Sequence, residues 1–184
     1  MRAFLAIELN DYVIENILKT QQVLDENSTS RLKHVERENM HLTVKFFGDI
    51  NERKLKQIKR IINETIESYK PYTMKVAGVG AFANIKHPKT IWTTVKDKEK
   101  NTINLIRNLD DKFADIGFKK ERSYKPHITI SRVKQLNDAQ NLSKTLSYMK
   151  GNYYGKVDVN KIVLKSSTLT PDGPIYKNEE EFIL

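Results

Sequence analysis

Two short stretches of this sequence carry residues suited to acid–base chemistry on a phosphate: His41-Leu42-Thr43-Val44 and His127-Ile128-Thr129-Ile130. Both read histidine, apolar, threonine, apolar, and they lie about half a chain apart in 184 residues. On a β-strand, residues i and i+2 share a face, so each stretch presents an imidazole beside a hydroxyl while its apolar pair turns to a core. Two imidazoles on opposite sides of a phosphodiester can serve as general base and general acid. Their reference pKa of about 6.5 lets one ring be neutral and the other charged near neutral pH. The threonine hydroxyls can donate hydrogen bonds to phosphate oxygens as charge builds up. Such a constellation needs no metal, covalent nucleophile or nucleotide cofactor, and none is expected. A two-histidine metal site is poorly supported, because no carboxylate or third histidine accompanies either stretch at ligand spacing. A single His-x-Thr would more often be a satisfied core histidine; the repetition carries the reading.

Several other side chains are candidates on weaker grounds. Arg132 could grip phosphate oxygens through its fork of donors. It lies five residues after His127, so a regular strand would turn it to the opposite face and a bend must intervene. The matching place after the first stretch is Phe46, which makes any basic contact one-sided. Lys45 shares parity with His41 and Thr43 and is placed at the cleft edge or in solvent. Trp92 could stack a base, although a core role is the stronger reading. Phe4 and Tyr176 could line a groove, with core packing as the default. Gly48 and Gly173 read as turn glycines. The two other histidines, His34 and His87, are placed in loops without a role. There is no Gly-x-x-x-x-Gly-Lys-[Ser/Thr] sequence, which argues against ATP-driven chemistry.

The elements that must hold these residues alternate along the chain. Residues 2–9 read as a central strand, and Asn10 or Asp11 caps a helix with Val13, Ile14, Ile17, Leu18 and Leu24 on one face. After a polar loop at 27–30 comes a strand over 40–48. Asn51 caps a second helix carrying Leu55, Ile58, Ile61, Ile62 and Ile66, which must end before Pro71. Strands are expected over 73–82 and 90–96, a helix over 98–116 stopped by Gly117, and a strand over 127–133. A helix over 138–149 follows. Strands over 157–166 and 175–184 flank the turn Pro171-Asp172-Gly173-Pro174. The layout is α+β, in one domain over 1–184 made of two halves that share a core.

Composition narrows the function classes. The absence of cysteine excludes disulfides, thiolate catalysis and Cys-ligated zinc, and fits a cytoplasmic protein. No apolar run approaches the roughly 20 residues of a membrane span, and the N-terminus is too soon acidic for a signal peptide. The formal net charge of +9 suits a polyanionic partner, though a lysine-rich solvated surface gives the same number.

The chain resembles the two-histidine (2H) phosphoesterase superfamily, and most nearly its RNA 2′,3′-cyclic phosphodiesterase branch, historically called 2′-5′ RNA ligases. The resemblance rests on the paired tetrapeptides. It is extended by Met1-Arg2-Ala3-Phe4-Leu5-Ala6-Ile7, by Val35-Glu36-Arg37-Glu38-Asn39-Met40 before His41, by Lys45-Phe46-Phe47-Gly48 after Val44, and by Pro126 and Ser131-Arg132-Val133 around the second motif. Leu164-Lys165-Ser166-Ser167-Thr168-Leu169-Thr170 and the turn that leads to Ile175-Tyr176 complete it. It implies a bilobal fold, with two antiparallel sheets related by a pseudo-twofold, helices outside and an active-site groove between the lobes. It further implies hydrolysis of a terminal RNA 2′,3′-cyclic phosphate to a 2′-phosphomonoester. His127 would accept the proton of water, His41 would protonate the departing 3′ oxygen, and Thr43, Thr129 and Arg132 would hold the phosphate. The expected partner is RNA with a cyclic end, bound by a monomer without protein or membrane partners. The alternatives are ATP-independent 2′-5′ RNA ligation, in which a sugar hydroxyl replaces water, and a non-catalytic RNA- or nucleotide-binding module.

Overall fold

Short polar caps and β-branched runs divide the chain into nine strands and four helices, and the computed structural model describes residues 1–184. In chain order these are β1 (Arg2–Glu8), α1 (Asp11–Asn27), β2 (Arg31–His34), β3 (His41–Asp49), α2 (Glu52–Ile66), β4 (Tyr72–Ala83) and β5 (Pro88–Lys96). Then follow α3 (Asn101–Asp115), β6 (His127–Gln135), α4 (Ala139–Tyr148), β7 (Tyr153–Val159), β8 (Lys161–Thr170) and β9 (Gly173–Ile183). The Asn10 and Asn51 side chains accept from Val13 N and Lys54 N, capping α1 and α2 as the sequence suggests. Gly117 takes φ +93° just past α3, where a side chain would be strained.

Two elements differ from the sequence expectation. β2 is a polar run too short and too alternating in charge to announce itself, yet it pairs with β6 from Arg31 to His34. The run over 157–166 is two strands, because the chain leaves β7 at Val159 and re-enters as β8 at Lys161. Continuous apolar character conceals the break: Val157, Val159, Ile162, Val163 and Leu164 are all buried, but at opposite ends of the sheet.

The strands follow the order β7-β4-β5-β6-β3-β1-β8-β9, all antiparallel, with β2 on the free edge of β6. The path divides naturally into two four-stranded halves. They meet at one residue pair, Leu42 opposite Ile128. These are the second residues of the two tetrapeptides, so a pseudo-twofold axis runs through that pair. α1 and α4 pack against the β6-side half, and α2 and α3 against the β3-side half. A single apolar cluster draws side chains from both, including Leu5, Ile17, Leu42, Ile58, Leu109, Ile128 and Leu146. Burial of each such side chain is worth about 1.5–3 kcal/mol. β3 and β6 diverge from their shared pair, and the wedge between them is the cleft.

Candidate active site

Each tetrapeptide starts its strand at the mouth of this wedge. His41 Nδ1 stands 2.8 Å from the Asn39 carbonyl, and His127 Nδ1 stands 2.6 Å from the Lys125 carbonyl. A carbonyl only accepts, so both rings carry a proton on Nδ1 and leave Nε2 for chemistry. The two histidines are thus held by the same backbone contact, each reaching back two residues. Thr43 Oγ1 lies 3.0 Å from His41 Nε2 and can donate to it.

The rings are backed by aromatic pairs. Phe4 and Tyr176 stand 4.9 and 5.5 Å from the His41 centroid, whereas Phe82 and Trp92 stand 5.1 and 6.2 Å from that of His127. Phe4 and Tyr176 do line the groove, as their sequence blocks allow. Trp92 is absent from the cavity lining, and its core reading does not hold. It is partly buried on the cleft face of β5, opposite Thr129 and against Gly80, where any Cβ would meet its ring at 2.4 Å, while Ile91, Thr93 and Val95 take the core side. Burial against these neighbours pushes the His41 pKa down to about 4, with Lys165 adding to the drop while the Asn39 carbonyl and Glu8 oppose it.

A bulge recurs at the fourth residue of each tetrapeptide. In β3 the register to β1 slips at Val44, between the Leu5–Lys45 and Ala6–Thr43 pairs. In β6 the register to β5 slips at Ile130, between the Ile91–Ser131 and Trp92–Thr129 pairs. One extra residue reverses the side-chain alternation beyond it. Phe46 and Arg132 therefore return to the cleft face, which supplies the bend that Arg132 requires. Lys45 is consequently not at the cleft edge. It is only 4% exposed, and its ammonium donates to Asp110 Oδ1 at 2.5 Å and to the Lys119 carbonyl at 2.7 Å. Asp110 also accepts from Glu121 N and from Tyr124 Oη, so the pair anchors the segment leading into His127. Burial raises the Asp110 pKa, but Lys45, the Glu121 amide and Tyr124 outweigh it and hold the carboxyl low.

The cleft encloses a cavity of about 350 Å³. It brings together His41, Thr43, His127, Thr129 and Arg132, along with Arg2, Lys33, Asn39, Phe46 and Ser167. Of the latter five, only Phe46 stands out in the sequence, as the counterpart of Arg132. Arg2, Asn39 and Ser167 fall in blocks of the family resemblance but carry no role there, and Lys33 lies outside them, because topology rather than spacing delivers all four. His34 needs correction. It lies on β2 at the cavity wall, with Nδ1 at 2.6 Å from Ser131 Oγ and Nε2 at 2.8 Å from Asp25. His87 does sit in the β4–β5 connection. Gly48 lies within β3 at φ +71°, beside a second bulge, whereas Gly173 opens β9 at the hairpin. No three His, Asp or Glu side chains converge as metal donors. No helix is long and apolar enough to cross a membrane.

Comparison with known proteins gives a consistent result. A family model described as LigT like phosphoesterase matches residues 7–92 and 94–176. An RNA 2′,3′-cyclic phosphodiesterase of Methanothermobacter thermautotrophicus is 36% identical over 184 residues, covering 100% of this chain and 99% of that relative. One of the same name from Methanocaldococcus jannaschii is 37% identical over 182 residues, covering 99% and 100%. The crystal structure of TT0787 of Thermus thermophilus superimposes with a TM-score of 0.83 at 22% identity, over 100% of this chain and 98% of that one.

Proposed function

We propose, from the premise that this chain belongs to the LigT like phosphoesterase family, that it is an RNA 2′,3′-cyclic phosphodiesterase acting through His41 and His127. The observation that carries the reading is the matched pair of imidazoles. Each is fixed through Nδ1 to a carbonyl two residues upstream, and each lines one cavity with a threonine beside it. The names of the relatives favour hydrolysis over the joining of ends.

In the proposed reaction, water attacks phosphorus and gives its proton to His127 Nε2. The bond from phosphorus to the 3′ oxygen breaks, and that oxygen takes a proton from His41 Nε2. The products are a 2′-phosphomonoester and a 3′-hydroxyl, and solvent resets the two rings. Thr43 and Thr129 donate to the phosphate oxygens, and Arg132 matches their charge with a planar fork. The donor and acceptor roles follow the family resemblance. The low pKa of His41 makes its ring neutral at neutral pH without substrate. An anionic phosphate in the same buried setting favours the charged form, so proton uptake accompanies binding and arms the acid.

The test is an oligoribonucleotide ending in a 2′,3′-cyclic phosphate, incubated with the protein in EDTA. Phosphorus NMR should show a 2′-phosphomonoester forming. A 3′-phosphate product, or turnover abolished by the chelator, overturns the reading.

A further inference from the structure

The cleft face of the β6-side half continues well past His127. Cross-strand partners place their side chains on the same face. Register therefore gives a row from His127 to Thr94 on β5, Ala77 on β4 and Tyr153 on β7. With strands about 4.8 Å apart, Tyr153 stands roughly 14 Å from the histidine across the sheet. The side chains between them are small, and Tyr153 is 52% exposed.

Alongside runs a second row, Lys96 on β5, Lys75 on β4 and Lys156 on β7, paired in direct register. All three are exposed, and none of them forms a salt bridge. The Lys75 ammonium sits 5.3 Å over the Tyr153 ring. The one carboxylate in the next row, Asp158, accepts from Thr73 instead. Like charges directly opposite one another destabilise a sheet, so three abreast are a cost that a bound polyanion would relieve.

The opposite half presents no such rank. Glu8 stands across from His41 and takes Lys165 at 2.8 Å, while Lys161 is taken by Glu181 at 2.7 Å. The β9 edge beyond carries Glu179, Glu180 and Glu181 in sequence. Those carboxylates meet Lys177, Lys59 and Lys161 in turn, so the lysines of that half are matched, whereas the rank on the β5-β4-β7 face is not.

We propose that the nucleotides preceding the cyclic end of a single-stranded RNA cross the β5-β4-β7 face, their phosphates on Lys96, Lys75 and Lys156 and a base on Tyr153. The inference rests on the phosphodiesterase reading and adds to it the path that the strand takes beyond its cyclic end. Aromatic stacking beside a cationic track is how single strands are held without regard to sequence.

The test compares wild type with K75Q/K96Q/K156Q and with Y153A, using a hexaribonucleotide with a cyclic end and a nucleoside 2′,3′-cyclic phosphate. The ratio of kcat/KM for the hexamer to that for the mononucleotide should fall at least tenfold in the triple variant. The slope of log affinity against log salt for the fluorescein-labelled hexamer should flatten by about 2, since each phosphate no longer neutralised takes about 0.7 from it. Y153A should lower the ratio about fivefold or more, in line with removal of one base stack. K177Q, on β9, should leave it unchanged. An unchanged ratio and an unchanged salt slope in the triple variant overturn the route, even if both substrates turn over. If wild type hydrolyses neither substrate, the activity reading fails, and the anisotropy titration alone still decides the route.

Discussion

The two half-sites are built on one backbone plan and finished with different chemistry. In both, a histidine opens the strand, its Nδ1 donates to a carbonyl two residues back, and a bulge at the fourth residue swings the sixth into the cleft. Beyond that the halves diverge. The sixth residue is Phe46 in one and Arg132 in the other. The fifth residue, turned inward by the bulge, is Lys45 bound to Asp110 in one and Ser131 bound to His34 in the other. Symmetry of the chain thus sets where the groups stand, and the side chains that depart from it make the two half-sites chemically different.

The largest expected effect separates the two histidines by role. His41→Ala and His127→Ala should each lower kcat on a cyclic-ended RNA by about 10²–10⁴, with the double variant little worse than either, because the pair acts as a unit. Replacing the bridging 3′ oxygen of the substrate with sulfur provides a leaving group that departs without a proton. On that substrate His41→Ala should recover most of its loss and His127→Ala should not. The reverse pattern would exchange the roles; equal recovery would dissolve the distinction between the halves.

Much of this site is legible in the sequence because its signal is local. A His-x-Thr-x repeat needs only the period of a strand to place both polar groups on one face, and the two asparagine caps and Gly117 mark helix ends by their own chemistry. What escapes is set by pairing rather than by neighbours. The bulges at Val44 and Ile130 have no composition of their own, and they are what send Lys45 inward and Arg132 outward. The break between β7 and β8 is hidden in an apolar run, since strands destined for opposite ends of the sheet are buried alike. β2 and His34 read as loop because four alternating residues gain their stability only from β6.

A smaller effect should distinguish the anchors behind the two bulges. Removing the Lys45 ammonium leaves Asp110, 1% exposed, as a buried carboxylate without its cation, so Lys45→Met should cost about 3–5 kcal/mol. Ser131→Ala deletes one hydrogen bond to His34 and should cost about 1 kcal/mol. Urea unfolding at neutral pH measures both. Costs of equal size would mean that the two bulges are held alike, and that the inward residue does not distinguish the halves.

The last contrast is the burial of His41, and acid should expose it. The folded pKa of about 4 lies below the value of about 6.5 expected in the unfolded chain, so unfolding takes up a proton throughout that interval. Stability from this group is unaffected above about pH 6.5, falls as pH drops through the window, and levels off below about pH 4. With 1.36 kcal/mol per pKa unit, the total is on the order of 3 kcal/mol. His41→Asn keeps an amide donor for the Asn39 carbonyl but has nothing to titrate. The difference in unfolding free energy between wild type and His41→Asn, followed by urea titrations from pH 7.5 to pH 4, should therefore shift against wild type by that amount. If the two curves run parallel, His41 titrates in the folded protein as it does in the unfolded chain. The ring would then not need an arriving phosphate to charge it, and the asymmetry between the halves would rest on the fifth and sixth residues, Lys45 and Phe46 against Ser131 and Arg132.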